Sequence, residues 1–208
     1  MAILHPIFAV PPVSINACVR REESRTKKLL EAALDTVRKE HPDWNLEILN
    51  LMDLDLMYWK TETLKERDEL LAKKEYDAPV FKYGNQFREA DGVIVAAPFW
   101  DLSIPAVLKV YIENISAEGI TFGCNESGLY GLCKAKWLLF LTTRGGIWAD
   151  SDMEQGSTYM EALCKFFGID EYACVYADGI DVQELDGEEI LREAIEETKG
   201  ICTRLSCK

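Results

Sequence analysis

Histidine is scarce in this chain of 208 residues: His5 and His41 are the only two, and neither falls in the loops to which chemistry is assigned below, so no catalytic acid or base is nominated. The seven cysteines, at positions 18, 124, 133, 164, 174, 202 and 207, include no Cys-x-x-Cys pair and are odd in number. They argue against a zinc site and a complete disulfide framework and read as reduced, cytosolic thiols. Gly-x-Gly-x-x-Gly and Gly-x-x-x-x-Gly-Lys-Ser/Thr are both missing, which removes the dinucleotide and triphosphate fingerprints. Basic charge is short as well. Lys and Arg number 23 against 36 Asp and Glu, a net charge of −13 whose field repels nucleic acid and anionic lipid. The apolar start Ile3 to Val13 is broken by Pro6, Pro11 and Pro12, follows no basic segment and is too short to span a bilayer, so a soluble, cytoplasmic protein is expected. No repeat, low-complexity tract or linker divides the chain. With 48% hydrophobic residues it has the apolar material for one core, so residues 1–208 are expected to form a single domain, with 1–12 as an N-terminal leader.

What is present is an alternation of short apolar runs with longer amphipathic segments, the mark of βαβ units around a mostly parallel sheet. Five strands are expected: Val13 to Ala17, Leu46 to Leu51, Gly92 to Ala97, Trp137 to Thr142 and Ala173 to Ala177. The central ones are continuously apolar, as burial on both faces requires. Ser24 to Glu40 carries Leu29, Leu30, Ala33, Leu34 and Val37 at helical spacing behind a capping serine. Further helices are expected from Pro79, with Val80, Tyr83 and Phe87 inward, from Ser103 and Pro105 to about Ser116, from about Met153 to Phe167 with Gly168 as the stop, and from Asp186, with Glu189 behind it. The fold class is therefore α/β, a doubly wound, five-stranded parallel sheet with helices on both faces. The polar segment Asp53 to Asp77, with Leu64, Leu70 and Leu71 suggesting a short helix, reads either as a functional cover or as a surface excursion.

In such sheets ligands gather at the carboxyl ends of the strands, where three loops meet. Around the first, Arg20, Arg21, Arg25, Lys27 and Lys28 crowd into nine residues with Glu22 and Glu23 in opposition. Cys18 to Thr26 leads into a helix N-terminus, where Ser24 and Thr26 hydroxyls, Arg25 and free backbone N–H groups suit a phosphate; a solvated first helical turn describes the same charges equally well. The second loop, Pro98-Phe99-Trp100-Asp101-Leu102, offers an aromatic pair for a flat heterocycle. The third, Thr143-Arg144-Gly145-Gly146, offers backbone unshielded by side chains. Singly, turn chemistry and packing explain each loop; jointly they favour a phosphate-tailed planar cofactor.

Four motifs then carry a resemblance: Asn16-Ala17-Cys18-Val19-Arg20 with Ser24-Arg25-Thr26; Ala97-Pro98-Phe99-Trp100-Asp101-Leu102-Ser103-Ile104-Pro105 with Leu108-Lys109; Gly119-Ile120-Thr121-Phe122; and Thr143-Arg144-Gly145-Gly146-Ile147. Over nearly all the chain after Val13 the sequence resembles the FMN-dependent NADH azoreductase and quinone reductase family. The resemblance implies a flavodoxin-like homodimer with one FMN per subunit, ping-pong electron transfer from NADH or NADPH to quinone, azo or similar aromatic acceptors, and active sites where the subunits meet. It implies Cys18, Ser24 and Thr26 at the phosphate and ribityl chain, Phe99 to Leu102 and Thr143 to Gly146 around the isoalloxazine, and Phe122, Trp148 and Phe166 at the acceptor pocket. Cys18 stands where many relatives have serine and Asp101 where they have asparagine, and the leader before the first strand is longer than usual. A flavodoxin-like electron carrier or flavin-sensing protein that does not oxidise NAD(P)H is the alternative from a different class.

Overall fold

The computed structural model describes residues 11–206. His5, Cys207 and the first ten residues of the expected leader lie outside the described residues. The five expected strands form one parallel sheet: β1 (Val13–Asn16), β2 (Glu47–Asn50), β3 (Val93–Ala96), β6 (Trp137–Thr143) and β7 (Glu171–Ala177), ordered β2-β1-β3-β6-β7. The helices are α1 (Arg25–Glu40), α2 (Thr61–Ala72), α3 (Lys82–Glu89), α4 (Ala106–Ile115), α5 (Gly156–Phe167) and α6 (Gly187–Cys202).

Side-chain alternation along the central strands builds two cores at once. Val93 and Val95 of β3, with Val13, Ile15, Leu138 and Phe140, pack under α3, α4 and α5. Ile94 and Ala96, with Leu139, Leu141 and Val175, pack under α1 and α6 through Leu29, Leu30, Ala33 and Ala194. Every residue of β3 and β6 is buried, which is why both read as apolar runs, broken only by Thr142 and Thr143 at the end of β6.

Helix ends follow local chemistry. Asp186 caps α6 by accepting from the backbone N–H of Glu188 at 3.2 Å and Glu189 at 3.0 Å. Helix α5 begins at Gly156 rather than Met153, because the Glu154 carboxylate accepts from the N–H groups of Gly156 (3.0 Å) and Ser157 (2.9 Å) and so marks the first turn; Gly168 ends it in the left-handed region at φ 77°. The chain from Pro79 opens as a 3-10 turn before α3, which buries Phe81 fully and leaves Val80 half-buried. His41 is half-buried: its ring stacks on Trp44 with centroids 4.0 Å apart, and Nε2 lies 3.1 Å from the Cys202 carbonyl.

Two features escaped the periodicity. An antiparallel hairpin, β4 (Phe122–Asn125) and β5 (Gly128–Gly131), follows α4, its glycine-rich strands too short to show alternation. The 53–77 segment places α2 beside Phe81, Ala117 and Ile120, and it is tied to the end of α4: Asn114 accepts from Met57 N–H at 3.1 Å and donates to the Met57 carbonyl at 2.8 Å. The hairpin in turn presses backbone to backbone on α5. A β-carbon at Gly131 would stand 2.0 Å from Gly168 N and 2.0 Å from the Phe167 carbonyl carbon. No rotamer relieves such a clash, so Gly131→Ala should cost about 1–3 kcal/mol in urea unfolding, whereas Gly200→Ala, whose β-carbon would meet nothing within 4 Å, should not destabilise.

Candidate active site

Strands β1 and β3 are neighbours, but the chain leaves β1 through α1 on one face and β3 through α4 on the other. The two loops therefore diverge and leave a crevice at the carboxyl end of the sheet. A cavity of about 290 Å³ sits there. The loop after β1 and the start of α1 contribute Arg20, Glu23, Ser24 and Arg25; the loop after β3 contributes Pro98, Phe99 and Trp100; β6 and its loop contribute Thr143 and Gly145; the loop after β7 contributes Asp181.

Ser24 is the N-cap residue of α1 by position, yet its side chain makes no capping hydrogen bond, so the first-turn N–H groups of α1 are not capped by this buried hydroxyl, which turns to the Cys18 thiol beside the cavity. Arg25, the first helical residue, holds its guanidinium against Asp181 in a two-pronged pair at 2.6 and 2.9 Å. Thr26, fully buried, turns inward instead, and its hydroxyl meets that of Thr143 at 2.6 Å, tying α1 to β6 beneath the cavity floor. Cys18 is also buried, against the Ala96 carbonyl at 3.9 Å, and borders a separate small hollow with Asn16, Arg21 and Asp53. Burial pushes its thiol up to about 11, with the Ser24 hydrogen bond and Lys27 pulling back, so the group stays protonated near neutrality.

Asp101 and Leu102 do not reach the wall. Both occupy positive φ (48° and 66°) at the tip of a two-residue turn closed by reciprocal backbone bonds between Trp100 and Ser103, at 3.1 and 2.8 Å. The turn instead presents Trp100, and the Leu102 carbonyl accepts from Gln155 N–H at 2.9 Å, joining this loop to the approach to α5.

Arg144 departs furthest from its expected place around a ring. Its side chain is 2% exposed and runs into the interior, with Glu154 at 3.3 Å and Asp178 at 3.6 Å, between the rings of Phe99 (5.7 Å) and Tyr176 (4.5 Å). Asp178 also accepts from the N–H groups of Trp148 at 2.8 Å and Ala149 at 3.0 Å, which anchors the far end of the glycine loop. Gly146 lies against Trp148, whose Nε1 would stand 2.9 Å from an added β-carbon, and Trp148 in turn packs on Phe99 with centroids 5.6 Å apart.

Residues 13–201 match a family model described as a flavodoxin-like fold. The chain belongs to the flavodoxin-like family. It is 34% identical over 180 residues to an FMN-dependent NADH:quinone oxidoreductase of Clostridium beijerinckii, covering 85% of this chain and 89% of that one. It is 35% identical over 179 residues to FMN-dependent NADH:quinone oxidoreductase 2 of Clostridium acetobutylicum, with the same coverage, 85% and 89%. Among solved structures, an FMN-dependent NADH-azoreductase of Bacillus anthracis in complex with FMN superposes with a TM-score of 0.83 at 25% identity, covering 93% of this chain and 98% of that one.

Within this flavodoxin-like chain, Phe122 and Phe166 lie together, centroids 4.6 Å apart, but do not line the cavity; Phe166 faces a groove between α2, α4 and α5 instead. Three cavity residues went unnominated in the sequence. Arg20 and Glu23 belong to the basic cluster, and Asp181 follows β7, to whose end the carboxyl-end rule applies as it does to its neighbours. The interior ion cluster around Arg144 gives a direct test. Arg144→Met keeps the length of the side chain but leaves Glu154 and Asp178 without their cation, and should cost about 3–5 kcal/mol in urea unfolding; a loss below 1 kcal/mol would show that the cluster holds nothing together.

Proposed function

We propose that this protein is an FMN-dependent oxidoreductase, cytoplasmic and homodimeric, that moves electrons from NADH or NADPH to quinones, azo compounds or similar aromatic acceptors in a ping-pong cycle. The observation that carries the reading is the cavity itself: its lining combines a helix N-terminus left uncapped by Ser24 and two guanidinium groups with the aromatic rings of Phe99 and Trp100. A phosphate-tailed planar ligand matches that polarity, and the relatives named above, FMN-dependent by their descriptions, support the same assignment. Among the described residues no helix is long and apolar enough to cross a membrane.

FMN, when bound, supplies a ring that accepts hydride from the nucleotide and gives electrons to the acceptor. The chain's own residues then hold and shield. Ser24, Arg25 and the first-turn N–H groups of α1 take the phosphate, Pro98, Phe99 and Trp100 exclude water from one side, and the Gly145 backbone approaches closely because it lacks a β-carbon. Trp148, packed on Phe99, borders the acceptor. Phe122 and Phe166 lie off the cavity within one subunit, so in this reading they reach the acceptor pocket as the contribution of a second copy. The carrier alternative needs no acceptor wall, and the tilted Phe99–Trp148 pair beside the cavity favours the enzyme.

The purified protein should show a flavin absorption band that bleaches on anaerobic addition of NADH and recovers on addition of a quinone; a band that persists with either nucleotide would leave only the carrier. Arg25→Ala should weaken FMN binding about tenfold through loss of a charge-assisted contact. Trp148→Ala should raise the quinone KM about fivefold, the scale of one lost aromatic contact, with flavin retained; loss of flavin with an unchanged KM would return Trp148 to packing alone.

A further inference from the structure

The proposed phosphate cation is already engaged. The Arg25 guanidinium donates to both carboxylate oxygens of Asp181, at 2.6 and 2.9 Å, across the cavity from Ser24. The partner is held there by its backbone. Asp181 N–H donates to the Gly145 carbonyl at 2.9 Å and Ile180 N–H to the Arg144 carbonyl at 3.2 Å, so the loops after β6 and β7 run zipped together and carry the carboxylate to the cavity wall. Its Oδ2 lies over Gly145, where an added β-carbon would stand 2.7 Å away. The side chain has room to leave, since it is 59% exposed and Arg25 is 38% exposed. With Arg20 and Glu23 also on the wall, two guanidinium groups are matched by two carboxylates, and the formal charges of the lining cancel.

We propose that Asp181 is a built-in competitor for the phosphate cation: its carboxylate occupies Arg25 and must yield it when a phosphate dianion binds, which sets how tightly the pocket holds phosphorylated flavin and how far it prefers it to the unphosphorylated form. The inference rests on FMN being the ligand of this cavity, as proposed above. The argument is one of exchange. A solvent-exposed carboxylate–guanidinium pair is weak, so a dianion can displace it, but the closed fraction lowers apparent affinity by the same factor by which it removes the competent state. An exchanged Asp181 remains near the phosphate and opposes it through like charge, which adds to the effect in the same direction. A ligand without phosphate neither needs Arg25 nor meets that opposition.

Asp181→Asn keeps size and removes the charge. In equilibrium dialysis of the full-length chain against graded flavin, Asp181→Asn should bind FMN about fivefold more tightly than the unsubstituted protein and bind riboflavin unchanged; in the Arg25→Ala background the same substitution should gain less. Unchanged or weaker FMN binding by Asp181→Asn, or an equal gain for riboflavin, would overturn the proposal. Inorganic phosphate serves as the second probe. If the unsubstituted protein took up no FMN, the flavin reading would fall, yet tighter phosphate binding by Asp181→Asn than by the unsubstituted chain would still uphold competition at Arg25, and equal binding would refute it.

Discussion

The guanidinium of Arg144 lies in the interior with a carboxylate on either side, Glu154 from the approach to α5 and Asp178 from the end of β7. A charge buried to this degree is costly unless its partners stay in place, and removal of one member strands the others. The requirement reaches outward through each partner. Glu154 starts α5, Asp178 holds the N–H groups of Trp148 and Ala149, and the guanidinium backs the ring of Phe99. Thus a residue that does not line the cavity determines where its aromatic wall and its glycine loop stand.

The opposite side of the cavity obeys a different rule. Arg25 and Asp181 meet at shorter distances, 2.6 and 2.9 Å, but in solvent, where an ion pair contributes about 0–1 kcal/mol. One ion pair is structural because water cannot replace it, and the other is exchangeable because water or an anion can. Rigidity on the ring side and exchange on the phosphate side suit a pocket that must orient a flat group closely while it admits and retains a charged tail.

The fold was legible because two-sided burial writes itself into sequence: Val93–Ala96 and residues 137–141 are apolar without a break, and Asp186 and Gly168 mark their helix ends with standard cap chemistry. The hairpin 122–131 was not, since Gly123, Gly128 and Gly131 are there for close approach and turn geometry rather than for alternation. Of the site, Ser24, Arg25, Phe99, Trp100 and Gly145 could be named because loop position and residue type coincide. The direction of a side chain within a loop is a tertiary fact. Thr26 turns inward to Thr143 and Arg144 to Glu154 and Asp178, partners distant in sequence, and Asp101 and Leu102 are carried off the wall by a positive-φ turn that aspartate accepts and leucine rarely adopts. Asp181 could have been found by treating the end of β7 like those of its neighbours.

Everything about the site depends on flavin lying at the β1–β3 end of the sheet, so the most direct measurement is its location. Titration of isotope-labelled protein with FMN, followed through backbone amide resonances, should shift Ser24, Arg25, Thr26, Phe99, Trp100, Gly145 and Asp181 together and saturably. A roomier hollow elsewhere, bounded by Asp68, Tyr76, Gly119 and Tyr130, should stay silent. Saturable shifts confined to that second group, with the helix α1 N-terminus unmoved, would contradict the account.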